Sequence, residues 1–184
     1  MGELAFRAVN RETWPEFAAL FESKGGPGFC WCMVWRPLAA KARREVPARK
    51  AAMQALVDAG VPVGILACHD GAPVGWCSIA PRDTHRSLGG PRDDDEGVWS
   101  LTCFFLRREW RGRGHAAALL DAAVAYARGE GARIVEAYPV DADSPSYRFM
   151  GFVDLFRRAG FTEVGRAGTR RHVMRLALNQ GGRR

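Results

Sequence analysis

The chain has 184 residues, a length typical of a single domain that can bury a core of its own without a metal or disulfide bonds. Its 27 basic and 20 acidic residues leave a net charge of +7. The basic residues are scattered rather than striped, which disfavours a nucleic-acid-binding module without excluding one. No apolar run approaches the ~20 residues of a membrane span, and the first residues lack a signal-peptide pattern. We therefore expect a cytoplasmic protein with no membrane partner.

In the first half of the chain, periodic patterns predict two helices and the start of a sheet. The dipeptide Asp70-Gly71 separates two strand patterns, and it tolerates the positive φ angles of a tight turn, so it predicts an antiparallel hairpin. The loop between the helices contains four glycine or proline residues in a row and then an aromatic run. The predicted elements are a strand over 4–9, helices over 13–21 and 41–59, and hairpin strands over 63–68 and 74–80.

The most informative stretch lies between residues 98 and 131. The apolar run 98–106 predicts a strand, and the glycine-bearing turn 111–116 predicts the start of a helix. Apolar residues then recur at helical spacing along one stripe until Gly129 and Gly131 end the helix. Glycines without Cβ atoms, converging backbone N–H groups and the positive end of the helix dipole together favour a phosphate-binding turn.

The remaining segments predict the other half of the sheet. Residues 133–138 have a strand pattern, which is parallel to 98–106 because a helix crosses between them. Ser144-Pro145 is a possible helix start that Gly151 interrupts, which leaves 152–159 as the helical piece. The other predicted segments are a polar surface loop over 81–97, strands over 161–164 and 172–178, and a disordered tail at 181–184.

The five cysteines, an odd number, predict reduced thiols rather than disulfide bonds. Three of them, Cys68, Cys77 and Cys103, lie in apolar runs typical of buried strands. Cys30 and Cys32 are two residues apart, but no second pair and no histidine pair stands at the spacing of a zinc site. An adjacent histidine that would activate a nucleophilic thiol is also missing. The sequence therefore predicts no metal site and disfavours a covalent intermediate on cysteine.

Three nucleotide-binding signatures compete for the glycine turn, and two of them fail. An ATPase phosphate loop requires four residues between its glycines followed by Lys and Ser or Thr, and a dinucleotide fingerprint requires a third glycine where this chain has Ala117. The pattern that remains is Arg-x-x-Gly-x-Ala at Arg111, Gly114 and Ala116. It resembles the coenzyme A pyrophosphate motif of the GNAT superfamily of N-acetyltransferases. The later run 156–161, Phe-Arg-Arg-Ala-Gly-Phe, resembles the end of that family's fourth helix.

The resemblance covers nearly the whole chain and implies a single GNAT domain over 1–180. Its α/β (α+β) fold would have a mixed central sheet of about six to seven strands, antiparallel apart from a parallel fourth and fifth strand, flanked by about four helices. The implied activity is transfer of the acetyl group of acetyl-CoA to a primary amine of a small molecule or peptide. The implied coenzyme contacts are the fourth-strand backbone at Phe104 and Leu106 and the turn residues Arg111, Gly112, Arg113, Gly114, His115 and Ala116.

Glu136 is the candidate general base. It lies within the apolar run 134–137, where loss of hydration raises a carboxylate pKa from ~4.3 toward a more useful value. Its position also resembles that of the base in ribosomal-protein alanine acetyltransferases. The alternative is that Glu136 faces solvent or pairs with an arginine. Glu96 and Asp95, just before the fourth strand, are the reserve candidates.

The general acid is where the chain departs from the family pattern. The expected tyrosine falls on Phe156 and the expected asparagine on Phe149, so neither residue supplies its usual group. Tyr147, which lies in an inserted stretch, is the candidate acid ahead of Tyr138. A thiolate whose thiol has a pKa of ~8.5 can also depart without help.

The loop between the first two helices usually walls the acceptor pocket in this family. Trp31 and Trp35, with Met33 between them, are therefore predicted to form an apolar wall, with core packing as the alternative. Two other functions stay open, a coenzyme-binding regulator without turnover and a basic nucleic-acid-binding module. The sequence also leaves a homodimer open.

Overall fold

One seven-stranded sheet organises the protein. The computed structural model describes residues 4–91 and 93–178, so the expected tail at 181–184 lies outside the described residues. The strand order is β1-β2-β3-β4-β5-β7-β6, and every neighbouring pair is antiparallel except β4 and β5, which are parallel. The fold class predicted from the sequence is confirmed. The strands are β1 (Leu4–Ala8), β2 (Ile65–His69), β3 (Ala72–Pro81), β4 (Val98–Leu106), β5 (Ile134–Ala137), β6 (Thr162–Ala167) and β7 (Arg171–Ala177).

Helices cover both faces of the sheet. The predicted apolar stripe of α3 is buried against one face, together with the buried side chains of α4. The buried side chains of α1 and α2 pack on the opposite face. The core therefore has two layers, one on each side of the strands. The helices are α1 (Trp14–Glu22), α2 (Val46–Asp58), α3 (His115–Gly129) and α4 (Val153–Arg158).

The hairpin between β2 and β3 forms where the sequence predicts it. Asp70 and Gly71 have φ angles of 49° and 78°, and His69 pairs with Ala72. Positive φ at both central residues is the geometry whose twist suits a two-residue hairpin.

Two helix boundaries differ from the prediction. The helix expected over 41–59 is divided, because Glu45 is extended and α2 begins only at Val46, with Pro47 in its first turn, where a missing N–H is tolerated. No helix starts at Ser144-Pro145: Ser144 closes a turn from Asp141, and a single 3₁₀ turn follows at Arg148–Met150. The predicted interruption at Gly151, with φ of 87°, is confirmed.

Among the residues that the structure describes, no helix is both long enough and apolar enough to cross a membrane.

Candidate functional site

A β-bulge in β4 opens the centre of the sheet. Ser78 of β3 pairs with Cys103 and the next residue, Ile79, pairs with Leu101, so Thr102 has no partner in β3. On the other side of β4, parallel pairing with β5 ends at Leu101. A bulge bends its strand and increases the local twist, so β4 turns away from β5 at this point. The last residues of β4 therefore have a strand on one side only.

A tight turn lies beside this unpaired edge. The 3₁₀ turn Arg148–Met150 contacts β4, and the chain then passes Gly151. A Cβ on Gly151 would lie 2.8 Å from the Phe156 ring and 3.4 Å from that of Phe104, so only glycine fits without displacing a ring. Phe156 is fully buried and packs against Phe104. The residue that stands at the family's tyrosine position is thus part of the core.

The glycine turn lies at the start of α3, as predicted. Gly112 and Gly114 have φ angles of 72° and 80°, and apart from their chain neighbours no heavy atom of the described residues lies within 4 Å of a Cβ built on either. Arg111 Nε donates to the Leu106 oxygen over 2.9 Å, which fixes the turn against the end of β4. The first N–H groups of a helix have no acceptor within it. The backbone of the turn is therefore open to a ligand and presents free donors.

An apolar cavity of about 200 Å³ lies against the bulged part of β4. Its walls are the β4 residues 102–105, the loop between α1 and α2, and Phe149. Trp35 lines this cavity. Trp31 does not: it is 2% exposed and stacks on Phe21 at 5.3 Å in the core between α1, α2 and the sheet. Of the two tryptophans predicted to wall an acceptor pocket, the structure places only Trp35 there.

Three thiols also line the apolar cavity, those of Cys30, Cys32 and Cys103. All five cysteines of the chain are free. The Trp76 indole donates to Cys32 Sγ over 3.0 Å. A hydrogen bond to Cys103 and burial raise the pKa of the Cys32 thiol well above its usual range. A protonated thiol is a poor nucleophile, so Cys32 lacks the environment of an activated cysteine.

Glu136 lies outside the apolar cavity, in a network of charges. Its side chain lines a separate polar cavity of about 690 Å³ and is only 4% exposed. Arg175 Nε donates to Glu136 Oε2 over 2.6 Å, and the Tyr138 hydroxyl donates to the other carboxylate oxygen. Arg175 also binds Asp95 over 2.8 Å and Asp93. One guanidinium therefore binds three carboxylates. Glu136 is paired with an arginine, which the sequence analysis gave as the alternative to a general base.

The same network fixes the segment 81–97, which the sequence predicts as a surface loop. Arg82 Nη2 donates to Asp93 Oδ1 over 3.0 Å. Desolvation raises the pKa of Asp93, but hydrogen bonds from Arg82 and Arg175 have the larger combined effect, and the pKa falls to about 2. The ionised carboxylate is thus stabilised. The loop is held to β5 and β7 by charge pairs between residues far apart in sequence.

Tyr147, the candidate acid, lies at the rim of the apolar cavity. It is 36% exposed and has a φ of 60°. Its ring centroid lies 6.3 Å from those of Trp35 and Phe149, both of which line the cavity. Glu136 lines the polar cavity instead. The structure therefore does not bring the two predicted catalytic side chains into one cavity.

Two buried polar residues near the polar cavity were missed by the sequence analysis. His85 is 8% exposed and contacts the Pro81 oxygen through Nδ1, and within the described residues its Nε2 has no partner. Burial and the charge of Arg36 lower the pKa of His85 to about 3, so the imidazole is neutral. Arg36 is 1% exposed and binds Thr84 Oγ1 over 2.5 Å. Nothing in their local sequence signals burial, because the burial comes from contacts between two distant loops.

Two kinds of comparison with known proteins bear on this chain, one of its sequence and one of its fold. The model of the acetyltransferase (GNAT) family matches residues 14–161, and the chain belongs to this family. No curated protein has a sequence that matches this chain significantly.

Solved structures with the same fold share little sequence with the chain. A ribosomal-protein-S5-alanine acetyltransferase of Vibrio fischeri has a TM-score of 0.61 at 10% identity, covering 98% of this chain and 96% of that one. An N-acetyltransferase of Thermoplasma acidophilum, in complex with coenzyme A, has a TM-score of 0.58 at 11% identity, covering 96% and 99%. A GNAT family acetyltransferase of Brucella melitensis, in complex with acetyl-CoA, has a TM-score of 0.53 at 16% identity, covering 97% and 90%.

Proposed function

We propose that the protein transfers the acetyl group of acetyl-CoA to a primary amine of a small molecule or peptide. The observation that carries the proposal is the bulge at Thr102, which leaves the end of β4 unpaired just before the glycine turn that opens α3. An unpaired strand edge offers hydrogen-bonding groups to the amides of a pantetheine arm, and the turn offers donors to a pyrophosphate. A coenzyme lying along β4 would bring its thioester to the apolar cavity.

The residues of the turn fit such a coenzyme. The open space over Gly112 and Gly114 admits phosphate oxygens close to the backbone, where a Cβ would keep them away. The neighbouring side chains of Arg111, Arg113 and His115 would add positive charge or donors around the pyrophosphate. Backbone groups of Phe104 and Leu106, with the turn through Ala116, complete the proposed coenzyme contacts. We propose no metal in this site.

The proposed chemistry is direct attack of the amine on the thioester. The reaction requires a neutral amine, stabilisation of the thioester oxygen and departure of a thiolate. Backbone N–H groups at the unpaired edge of β4 would stabilise the oxygen, and the Tyr147 hydroxyl at the cavity rim would protonate the thiolate. Glu136 as general base stays a prediction. Both of its carboxylate oxygens already accept hydrogen bonds, one from Arg175 and one from Tyr138.

The experiment that tests the proposal measures coenzyme binding first and turnover second. Acetyl-CoA should raise the Tm of the purified protein, and a library of primary amines should then be screened for release of free coenzyme thiol. Failure of acetyl-CoA to raise the Tm or to bind by calorimetry would refute the proposal. Stabilisation by RNA without stabilisation by acetyl-CoA would favour the nucleic-acid-binding module instead.

A coenzyme-binding regulator without turnover is the second candidate function. It is favoured by the phenylalanines at positions 149 and 156, which carry neither the amide nor the hydroxyl of the family pattern, and by the ion pairing of Glu136. Acetyl-CoA binding at the turn combined with no acetylation of any amine in a broad library would establish this alternative.

A further inference from the structure

A second recess of about 360 Å³ lies next to the apolar cavity. Phe29, Cys30 and Val34 line both spaces, so the two are neighbours along the loop between α1 and α2. Phe29 and Val34 are 72% and 42% exposed, so the mouth presents apolar surface to water. Apolar surface concentrated at an opening is typical of a ligand-binding site.

Three arginines line the outer recess, namely Arg43, Arg49 and Arg86. Within residues 4–91 and 93–178, no carboxylate lies within 4.0 Å of any of them. Some arginines elsewhere in the described part are ion-paired, as Arg82 is with Asp93 over 3.0 Å. The recess therefore combines an apolar floor with positive charge that no acidic side chain of the described part balances.

The protein groups that two of these arginines do contact are uncharged. Arg49 Nη1 donates to the backbone oxygen of Arg43, while its Nε is buried and has no partner among the described residues. Arg86 Nε donates to the Val34 oxygen over 2.8 Å, and the guanidinium lies 4.9 Å from the ring centroid of Trp35. Each guanidinium has five N–H donors, so several remain for an anion. Like charges around one opening favour the binding of a negative group between them.

We propose that the acceptor is an amine on an apolar or aromatic body whose far end bears a carboxylate or a phosphate. The inference rests on the proposed function, because the amine must pass into the apolar cavity to reach the end of β4. The body would fill the space beside Trp35 and Phe149, and the anion would bind Arg43, Arg49 and Arg86. The cavity thus selects for anionic, amphipathic amines over neutral ones.

The test compares probes that differ only at the far end. These are para-aminomethylbenzoate, the corresponding phosphonate and the neutral para-aminomethylbenzamide. We expect kcat/KM for at least one anionic probe to exceed that for the amide by about tenfold or more, since hydrogen bonds to charged groups are the stronger ones. A preference for the phosphonate over the benzoate would identify phosphate as the natural group, and the reverse order would identify a carboxylate.

Variants locate the source of this preference. Arg49→Gln and, separately, Arg43→Gln should lower the ratio between anionic and neutral probes about tenfold, with the KM for acetyl-CoA unchanged. Arg43 is exposed, so Arg43→Gln stays informative if Arg49→Gln folds poorly. Arg44→Gln is the matched control, because it removes the same charge from an adjacent exposed position that does not line the recess.

Two kinetic outcomes would overturn the inference while leaving acetyl transfer intact. One is equal kcat/KM for the amide and both anionic probes, and the other is an equal loss of preference in Arg44→Gln and Arg49→Gln. If none of the probes is acetylated, calorimetry in the presence of coenzyme A measures whether the anionic probes bind more tightly than the amide. Binding of an anionic probe but not the amide supports the inference even where the proposed activity fails, and equal or absent binding overturns it.

Discussion

Replacing Gly114 with Asp tests the coenzyme site most directly. The side chain has room, since no heavy atom lies within 4 Å of a Cβ at this position. The φ of 80° costs a non-glycine residue about 1 kcal/mol, and the favourable interaction of a carboxylate with the start of α3 offsets roughly 0.3–1 kcal/mol of that. The Tm should therefore change by no more than a few degrees.

Coenzyme affinity should fall far more than stability. At a separation of ~5 Å and an effective dielectric constant of ~20, two unit negative charges repel by about 3 kcal/mol. Since about 1.4 kcal/mol corresponds to a tenfold change, we expect the Kd for acetyl-CoA to rise about 10²-fold. Calorimetry gives the Kd, and a thermal melt without ligand gives the Tm of the same sample.

Gly114→Asn is the matched control for this substitution. Asn has the shape of Asp and tolerates positive φ, but it carries no charge. Its Kd for acetyl-CoA should rise by the steric effect of the side chain alone and stay measurably below that of Gly114→Asp. Equal Kd values for the Asp and Asn variants, both folded, would refute the placement of the pyrophosphate at this turn, because charge would then have no effect there.

The remaining predictions concern catalysis, the acceptor wall and pH. If Glu136 is the general base, Glu136→Gln should lower kcat about 10²- to 10⁴-fold and remove the acidic limb of the kcat/KM profile; near-normal kcat with a lowered Tm would instead assign it to holding the charge network. Tyr147→Phe should lower kcat by less than about tenfold, because a thiolate can depart unaided. A larger loss of kcat, measured by release of the coenzyme thiol, would show that the thiolate needs a proton from Tyr147. Trp35→Ala should raise the KM of the acceptor more than that of acetyl-CoA. Trp31→Ala should mainly lower the free energy of unfolding, by the roughly 3–5 kcal/mol typical of a buried tryptophan, and with it the Tm; the opposite pattern would exchange their roles. His85 has a folded pKa of about 3, below its unfolded value of ~6.5, so its contribution to stability is complete above pH ~6.5 and is lost as the pH falls toward 3. Thermal melts between pH 6.5 and 4.5 should show this loss in the wild type and a flatter dependence in His85→Asn, and identical slopes would contradict it.

Local signals are sufficient for much of this fold. The Asp70-Gly71 turn depends only on which residues accept positive φ, and the stripe of α3 depends only on helical spacing. The glycine turn at 111–116 combines both kinds of signal, so its position and the start of α3 were predictable. Helix boundaries were harder to predict. The start of α2 at Val46, later than expected, is an example, because a proline permits several starting points.

The local sequence did not predict which tryptophan lines the apolar cavity. Trp31 and Trp35 are four residues apart in one aromatic loop, and the sequence offers no reason to treat them differently. Successive left-handed residues at Trp31 and Cys32, with φ of 48° and 50°, change the direction of the chain between the two tryptophans. Trp31 consequently packs on α1 and Trp35 on the cavity, a division that only the folded loop defines.

The sequence by itself determined the order of strands and helices, the glycine turn before α3 and hence the family, because each depends on residues close together along the chain. The tertiary structure decided the chemistry around Glu136. Its partner Arg175 is 39 residues away, and Arg175 reaches Asp93 across 82 residues. It also decided the bulge at Thr102, which exists only relative to the register of β3. Charge pairing and strand register are properties of chains brought side by side, and no local pattern encodes them.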